Sequence, residues 1–197
     1  MKKIIYSVII ILLISINNSC TKESILTTKP VAQNSANAKT AKAHYIGELF
    51  GGGIIFYLDN SEKHGLIAAS QDIEEPLAWS KKDTLNGAKD TALGAGSVNT
   101  LKIYRTQGFP KYEVDTYAAL ECMEFTLNGY EDWYLPSLNE LNKLYLARTK
   151  VGGFRTFAYW SSSESDISKA WLVNFSSGAQ SLQFKTAQYA LRPVRKF

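Results

Sequence analysis

Apolar positions along this chain follow three rhythms. Ile4 to Ile16 is an almost unbroken apolar run of 13 residues, short of the ~20 that a spanning helix needs but within the range of a signal-peptide core. From Tyr45 onward, short apolar runs and alternations of period two mark strands, while repeats at three and four residues mark helices. Ile54 to Leu58 and Leu66 to Ala69 flank the turn DNSEKHG and predict a β-hairpin. EPLAWS predicts a short strand, and KKDTLNGAKDTALGAG an irregular loop. Val98, Leu101 and Tyr104 share a stripe that stops at Gly108, so a short helix is expected there. Asp115 is placed to cap a second helix, with Ala118, Cys122 and Phe125 as its stripe and Gly129 as its end.

Ser137 and Glu140 have the S-x-x-E spacing of a capping box, and Leu138, Leu141, Leu144 and Tyr145 then form the apolar face of a helix reaching about Arg148. Pro136 suits an extended entry, because it disfavours helical backbone at Leu135. In the last third, FAYWSSS, AWLVNF and QSLQFK alternate as antiparallel strands. Trp171, Val173 and Phe175 share one face, Leu182 and Phe184 turn inward, and Pro193 belongs at an edge or bulge. The expected class is α+β, built of antiparallel strands with two or three helices.

The two ends of the chain change what the composition means. Lys2 and Lys3 precede the apolar run, and Ser19 stands directly before Cys20. Residues 1–19 therefore read as a lipoprotein signal peptide and Cys20 as the acylated first residue of the mature chain; an ordinary secretory leader with an unused thiol is the alternative. Each buried CH₂ of an acyl chain contributes about 0.8 kcal/mol, so two or three chains would hold the protein on a membrane. Residues 20–44 are rich in Thr, Ser, Ala, Asn and Lys and read as a flexible tether. Residues 45–197 are enough for one domain with a core. The whole chain has 22 basic and 18 acidic side chains, yet residues 45–197 hold 16 basic and 17 acidic ones. That balance argues against nucleic acid as a partner. Cys122 is the only other cysteine, so no internal disulfide is expected, and its stripe makes it a small buried hydrophobe.

Candidate chemistry is sparse. Gly51-Gly52-Gly53 lacks a following Gly-Lys-Ser/Thr and precedes a strand, so it reads as a tight backbone entry and not a phosphate cradle. His64 lies in the hairpin turn, and no G-x-S-x-G is present. Ser161, Ser162 and Ser163 before Glu164 could be imagined as nucleophile and acid, but a serine-rich strand end is the plainer reading. His44, His64 and Cys122 are too dispersed for zinc. No cofactor is expected; a calcium ion, if any, would draw on Glu131, Asp132, Asn139, Glu164 and Asp166. Trp79, Trp133, Trp160 and Trp171 could stack on sugars if exposed, although their frames place the last three in the core. The loops 81–96 and 148–157 are the expected places for a recognition surface.

Several stretches together resemble a known family. GGGIIFYLD, HGLIAA, YAALEC, NGYEDWYLPSLNEL, YWSSSE, AWLVNF and LRPVRKF occur in the order seen in the C-terminal domain family of the Legionella collagen-like adhesin, over essentially residues 45–197. The resemblance implies a C-type-lectin-like fold and a non-enzymatic role at bacterial surfaces in adhesion and glycan contact. It also implies a cysteine partner for Cys122 in the final strand, which here reads LRPVR and has none. The expectation is thus a cell-envelope lipoprotein, lipid-anchored at the outer membrane, presenting a lectin-like binding module to a glycan or an envelope protein. A structural or protein-interaction subunit without a sugar site is the alternative, and a hydrolase ranks last.

Overall fold

The computed structural model describes residues 43–109, 116–155 and 157–197. Cys20, the leader, nearly all of the tether and Asp115 lie outside them. The elements are strands β1 Leu49–Phe50, β2 Gly53–Leu58, β3 Gly65–Ala68 and β4 Leu77–Ala78, then helices α1 Gly96–Gln107, α2 Ala118–Glu124, α3 Leu138–Leu146 and α4 Arg148–Val151. Strands β5 Ala158–Glu164, β6 Lys169–Asn174, β7 Gln180–Phe184, β8 Gln188–Tyr189 and β9 Val194–Lys196 follow. They form an antiparallel sheet β1-β2-β3-β9, a second antiparallel sheet β5-β6-β7 and a small pair β4-β8. The architecture is mixed helix and antiparallel sheet, as the apolar rhythm predicts. No helix among the described residues is long and apolar enough to cross a membrane.

Alternation along β5 and β6 splits the core. Tyr159 and Val173 face α3, joining Leu141, Leu144 and Phe175, whereas Trp160, Ala170 and Leu172 face the other way, with Trp79, Ile103, Leu120 and Cys122. A third cluster, Ile55, Ile67, Ala69 and Trp133, backs the first sheet. Cys122 is fully buried, and burial pushes its thiol up.

Five expectations need correction. Helix α1 buries Asn99, Thr100, Ile103 and Gln107 instead of a stripe of Val98, Leu101 and Tyr104, and Val98 is exposed. Helix α2 starts after Tyr117, whose backbone is extended and whose side chain does not cap. The same helix stops at Phe125, before Gly129, because Asn128 and Gly129 both take positive φ and turn the chain back so that Leu127 pairs with Tyr130. The third helix breaks at Ala147, leaving α4 as a separate turn. Phe184 is 57% exposed, because β7 is the outer strand of its sheet and α3 covers only the inner part of that face.

The capping box forms as expected: Glu140 N–H donates to Ser137 Oγ at 3.3 Å, and Ser137 N–H donates to Glu140 Oε2 at 2.8 Å. Glu140 does more than close its own helix. Its Oε1 accepts Gly94 N–H at 2.9 Å and the Tyr134 hydroxyl at 3.3 Å, and the side chain is fully buried. Burial pushes this carboxyl above its usual range, while the Ser137 and Gly94 amides pull the other way. Gly96, the first residue of α1, lies against it: a Cβ there would fall 2.2 Å from Glu140 Oε2 and 2.8 Å from Ser137 N. We expect Glu140→Gln to cost about 1–3 kcal/mol, because an amide NH₂ would face donors that only an acceptor satisfies. Gly96→Ala should cost about 1–3 kcal/mol through overpacking against backbone. Denaturant unfolding reads both as a lower midpoint at unchanged slope, and a parent-like midpoint would contradict the role given to this contact.

Candidate functional site

Three ion pairs fix the loops that carry the surface. Lys185 and Glu164 meet at 2.7 Å with neither side chain exposed. Lys185 Nζ also donates to Thr84 O and Ile167 O, and Glu164 accepts the amides of Asn86 and Gly87. This pair holds the loop after β4. Arg192 Nε donates to Asp72 Oδ1 at 2.6 Å, while Tyr159 OH donates to Asp72 Oδ2 and the guanidinium reaches the carbonyls of Ala69 and Gly153. That pair joins the segment after β3 to the loop after α4.

The third pair lies under the first hairpin. Arg195, on β9, grips Asp132 with two bonds, Nε to Oδ1 at 2.6 Å and Nη2 to Oδ2 at 2.8 Å, and its Nη1 donates to Gly51 O at 2.8 Å. The bonds from Arg195 hold the Asp132 carboxyl below its usual range. The Tyr130 ring lies over the guanidinium, centroid 4.1 Å away, and against Gly52, where a Cβ would meet the ring at 2.4 Å. Gly52 has φ +87°, a conformation glycine adopts without steric cost. Asn128 Nδ2 donates to Gly52 O at 3.0 Å. Around these contacts runs an open groove of ≈ 300 Å³, lined by Leu49, Phe50, the Gly51–Gly53 backbone, Ser70 and Asn128.

Aromatic rings crowd the rim. Phe50 lies 4.2 Å from the His44 ring and 5.1 Å from the Phe197 ring, centroid to centroid. Leu49 is 79% exposed, Tyr45 53%, Phe50 39% and Tyr130 37%. GGGIIFYLD, NGYEDWYLP and LRPVRKF thus converge on a single lip. A groove with aromatic edges and a few polar atoms can stack against an apolar ring face and hydrogen-bond its substituents.

The other sequence candidates lie elsewhere. Trp79, Trp133 and Trp160 are buried, their indole N–H groups donating to Ser161 O, Tyr130 O and Leu77 O; Trp171 is half-buried. The five possible calcium ligands have other partners or face solvent: Glu164 is bonded to Lys185, Asp132 to Arg195, and Asp166 to the amides of Ser168 and Lys169, while Asn139 and Glu131 are exposed. Among the described residues, no three His, Cys, Asp or Glu side chains could share a metal ion. Ser161 Oγ donates to Trp171 O, Ser163 Oγ to Asp90 O, and Ser162 is buried between them. His64 stands at the edge of a separate groove beside Lys196. The two expected display loops border larger open depressions, Lys81 and Lys82 one of ≈ 630 Å³, Gly153 to Arg155 one of ≈ 670 Å³.

The model of the Lcl C-terminal domain family matches residues 68–195, more than half of the chain. The chain belongs to the Lcl C-terminal domain family. Tyr130, Asp132 and Arg195 fall inside the match, and Leu49, Phe50 and the glycine triplet precede it. No curated protein matches the chain. Among solved structures, a fimbrial protein from Bacteroides ovatus ATCC 8483 is similar at 16% identity and a TM-score of 0.48. The similarity covers 72% of this chain and 43% of that one, so the Lcl-family chain spans less than half of the fimbrial protein's length.

The Glu164–Lys185 pair makes a pH-dependent statement. Burial alone would raise the Glu164 carboxyl, but bonds from Lys185 and Asn86 outweigh it and hold the group below 4.5. The folded state therefore binds this proton less tightly than the unfolded chain. The resulting stabilisation is present above the unfolded value and is lost as pH falls through the folded one. We expect unfolding midpoints to decline below about pH 4.5, and Lys185→Met to cost about 3–5 kcal/mol by stranding a buried carboxylate. Lys185→Met with Glu164→Gln should recover part of that loss and show a shallower acid decline, read by denaturant titration at several pH values.

Proposed function

We propose that this protein is a cell-envelope lipoprotein, acylated at Cys20 and held at the outer membrane, that presents a non-enzymatic, C-type-lectin-like module for adhesion through glycan contact. Residues 1–19 serve as the leader and 20–44 as the tether. Family membership supports an adhesin-associated role. The observation that carries the ligand class is the exposed lip, where Phe50 lines one groove together with Ser70 and Asn128 and the Tyr130 ring packs on Gly52 beside it. Arg195, buried and bonded to the exposed Asp132, holds Tyr130 in place from below, so that ring is pre-positioned and little of its side-chain freedom is lost on binding.

A second reading has its own support. Among the described residues Leu49 is the most exposed of the large apolar side chains, and an aliphatic tip of that kind suits a protein partner in an envelope complex better than a sugar.

A glycan array with the purified protein separates the two. Binding to a restricted set of glycans that Phe50→Ala reduces at least 10-fold, with unchanged thermal unfolding, is the expected result. An empty array together with capture of an envelope protein that Leu49→Asp abolishes would replace the first reading by the second. Intact-mass analysis of the membrane fraction should show two or three acyl chains on Cys20, and Cys20→Ser should release the protein from membranes. Unmodified Cys20 would overturn the anchor.

A further inference from the structure

Among the described residues, each sheet edge but one is short or covered. β1, β4 and β8 are two-residue strands. β9 is bonded along its outer side by Tyr134, N–H to Val194 O at 2.8 Å and back at 3.0 Å. β5 is met by Ala190, which accepts from Trp160 and donates to Ala158. β7, Gln180–Phe184, is the outer strand of its sheet and carries no charge, no proline and no bulge. Those are the devices that normally keep an edge from pairing with another chain.

The register shows which backbone groups β7 turns outward. Lys185 N–H bonds Ser168 O, and Asn174 N–H bonds Ala179 O. Hydrogen-bonded pairs alternate along an antiparallel ladder, so Ser181 and Gln183 spend their backbone groups on β6 partners Leu172 and Ala170. Gln180, Leu182 and Phe184 therefore direct N–H and C=O away from the sheet; of these, Phe184 O also accepts Ala187 N–H. Their side chains share the face of Trp171, which pairs with Leu182. Leu182 and Trp171 are half-buried, and Phe184 is exposed with the Lys169 ammonium 5.1 Å from its ring centre.

We propose that β7 is a pairing edge for a second copy of this chain. Two domains join β7 to β7 antiparallel about a two-fold axis through Leu182, making a continuous sheet of both three-stranded halves. A two-fold register must place outward-facing residues opposite one another, and an axis at Leu182 does so along the whole strand. Leu182 then faces its own copy, Gln180 faces Phe184, and Ser181 faces Gln183. No like charges oppose within the strand. Lys185, the next residue, is buried and paired with Glu164. An interface of this kind is isologous and self-complementary, and it uses main-chain bonds for affinity and the Leu182–Phe184 strip for register. It lies on β7 and does not involve the glycan lip, so it stands apart from the proposed function.

Sedimentation of the full chain in detergent should show a mass rising from one copy toward two with concentration. Leu182→Lys, which sets two ammonium groups across the axis, should hold it at one copy without lowering its melting temperature. Under mild oxidation, Leu182→Cys should form a disulfide-linked dimer well above the background of the parent chain, since residues opposed in an antiparallel pair sit at about 5.5 Å between Cα atoms. Gln180→Cys should not, because its copy lies four residues away along the partner strand. A single-copy mass at every concentration, or equal cross-linking of the two cysteine variants, would overturn the proposal.

Discussion

One buried carboxylate organises the helical half of this domain. Glu140 sits where two helices begin, α3 through its capping box and α1 through Gly96 and the Gly94 amide. Helix N-termini present unpaired N–H groups and a positive dipole end; Glu140 accepts the N–H of Ser137, the cap of α3, and that of Gly94, just before the α1 cap Ala95, so neither donor is left orphaned. The Tyr134 hydroxyl completes the arrangement, and the Tyr134 backbone is bonded to Val194 of the last strand. Ser137 Oγ donates to Ala92 O, and Asn139 N–H to Thr91 O. The irregular loop before α1 is thus bound to a rigid corner although it forms no strand or helix.

The ion pairs extend the same logic to the surface. With the backbone groups they bond, they join segments far apart in sequence: Lys185 and Glu164 the ends of β7 and β5 to the loop after β4, Arg192 and Asp72 the last strand region to the segment after β3, and Arg195 and Asp132 β9 and the DWYLP corner to the first hairpin. Buried pairs contribute little net stability compared with apolar side chains of similar size. Their value here is geometric, because carboxylate and guanidinium oblige particular loops to sit where their carbonyls and amides are met. The lip owes its shape to this, since Arg195 simultaneously bonds Gly51 and Asp132 and lies beneath Tyr130.

Much of this was legible in the residues, and the reasons for the rest are physical. The capping box, the first hairpin, the buried Cys122 and the α+β class followed from local spacing, because each depends on neighbours within a turn or on a repeating period. The corner at Tyr130 to Tyr145 proved to be both a joint and a lip. Trp133 and Leu135 go inward and Tyr130 outward, a division that spacing alone does not reveal. Leu49 and Phe50 escaped notice because an apolar pair before a glycine triplet reads as a strand entry, and only the outcome of packing leaves it at the rim. Lys185, Arg192 and Arg195 were equally silent. A lone basic residue in a strand looks solvent-facing until its distant carboxylate is known. The early end of α2 turned on Asn128 adopting positive φ, which asparagine tolerates better than most side chains but does not advertise.

The place of β9 has a consequence for folding. The edge of Leu66–Ala68 is closed by Val194–Lys196, a pairing that spans most of the domain. Until Val194–Lys196 are in place, the β3 edge stays open with Ile67 beside it and the first sheet cannot close. Such long-range closure slows folding.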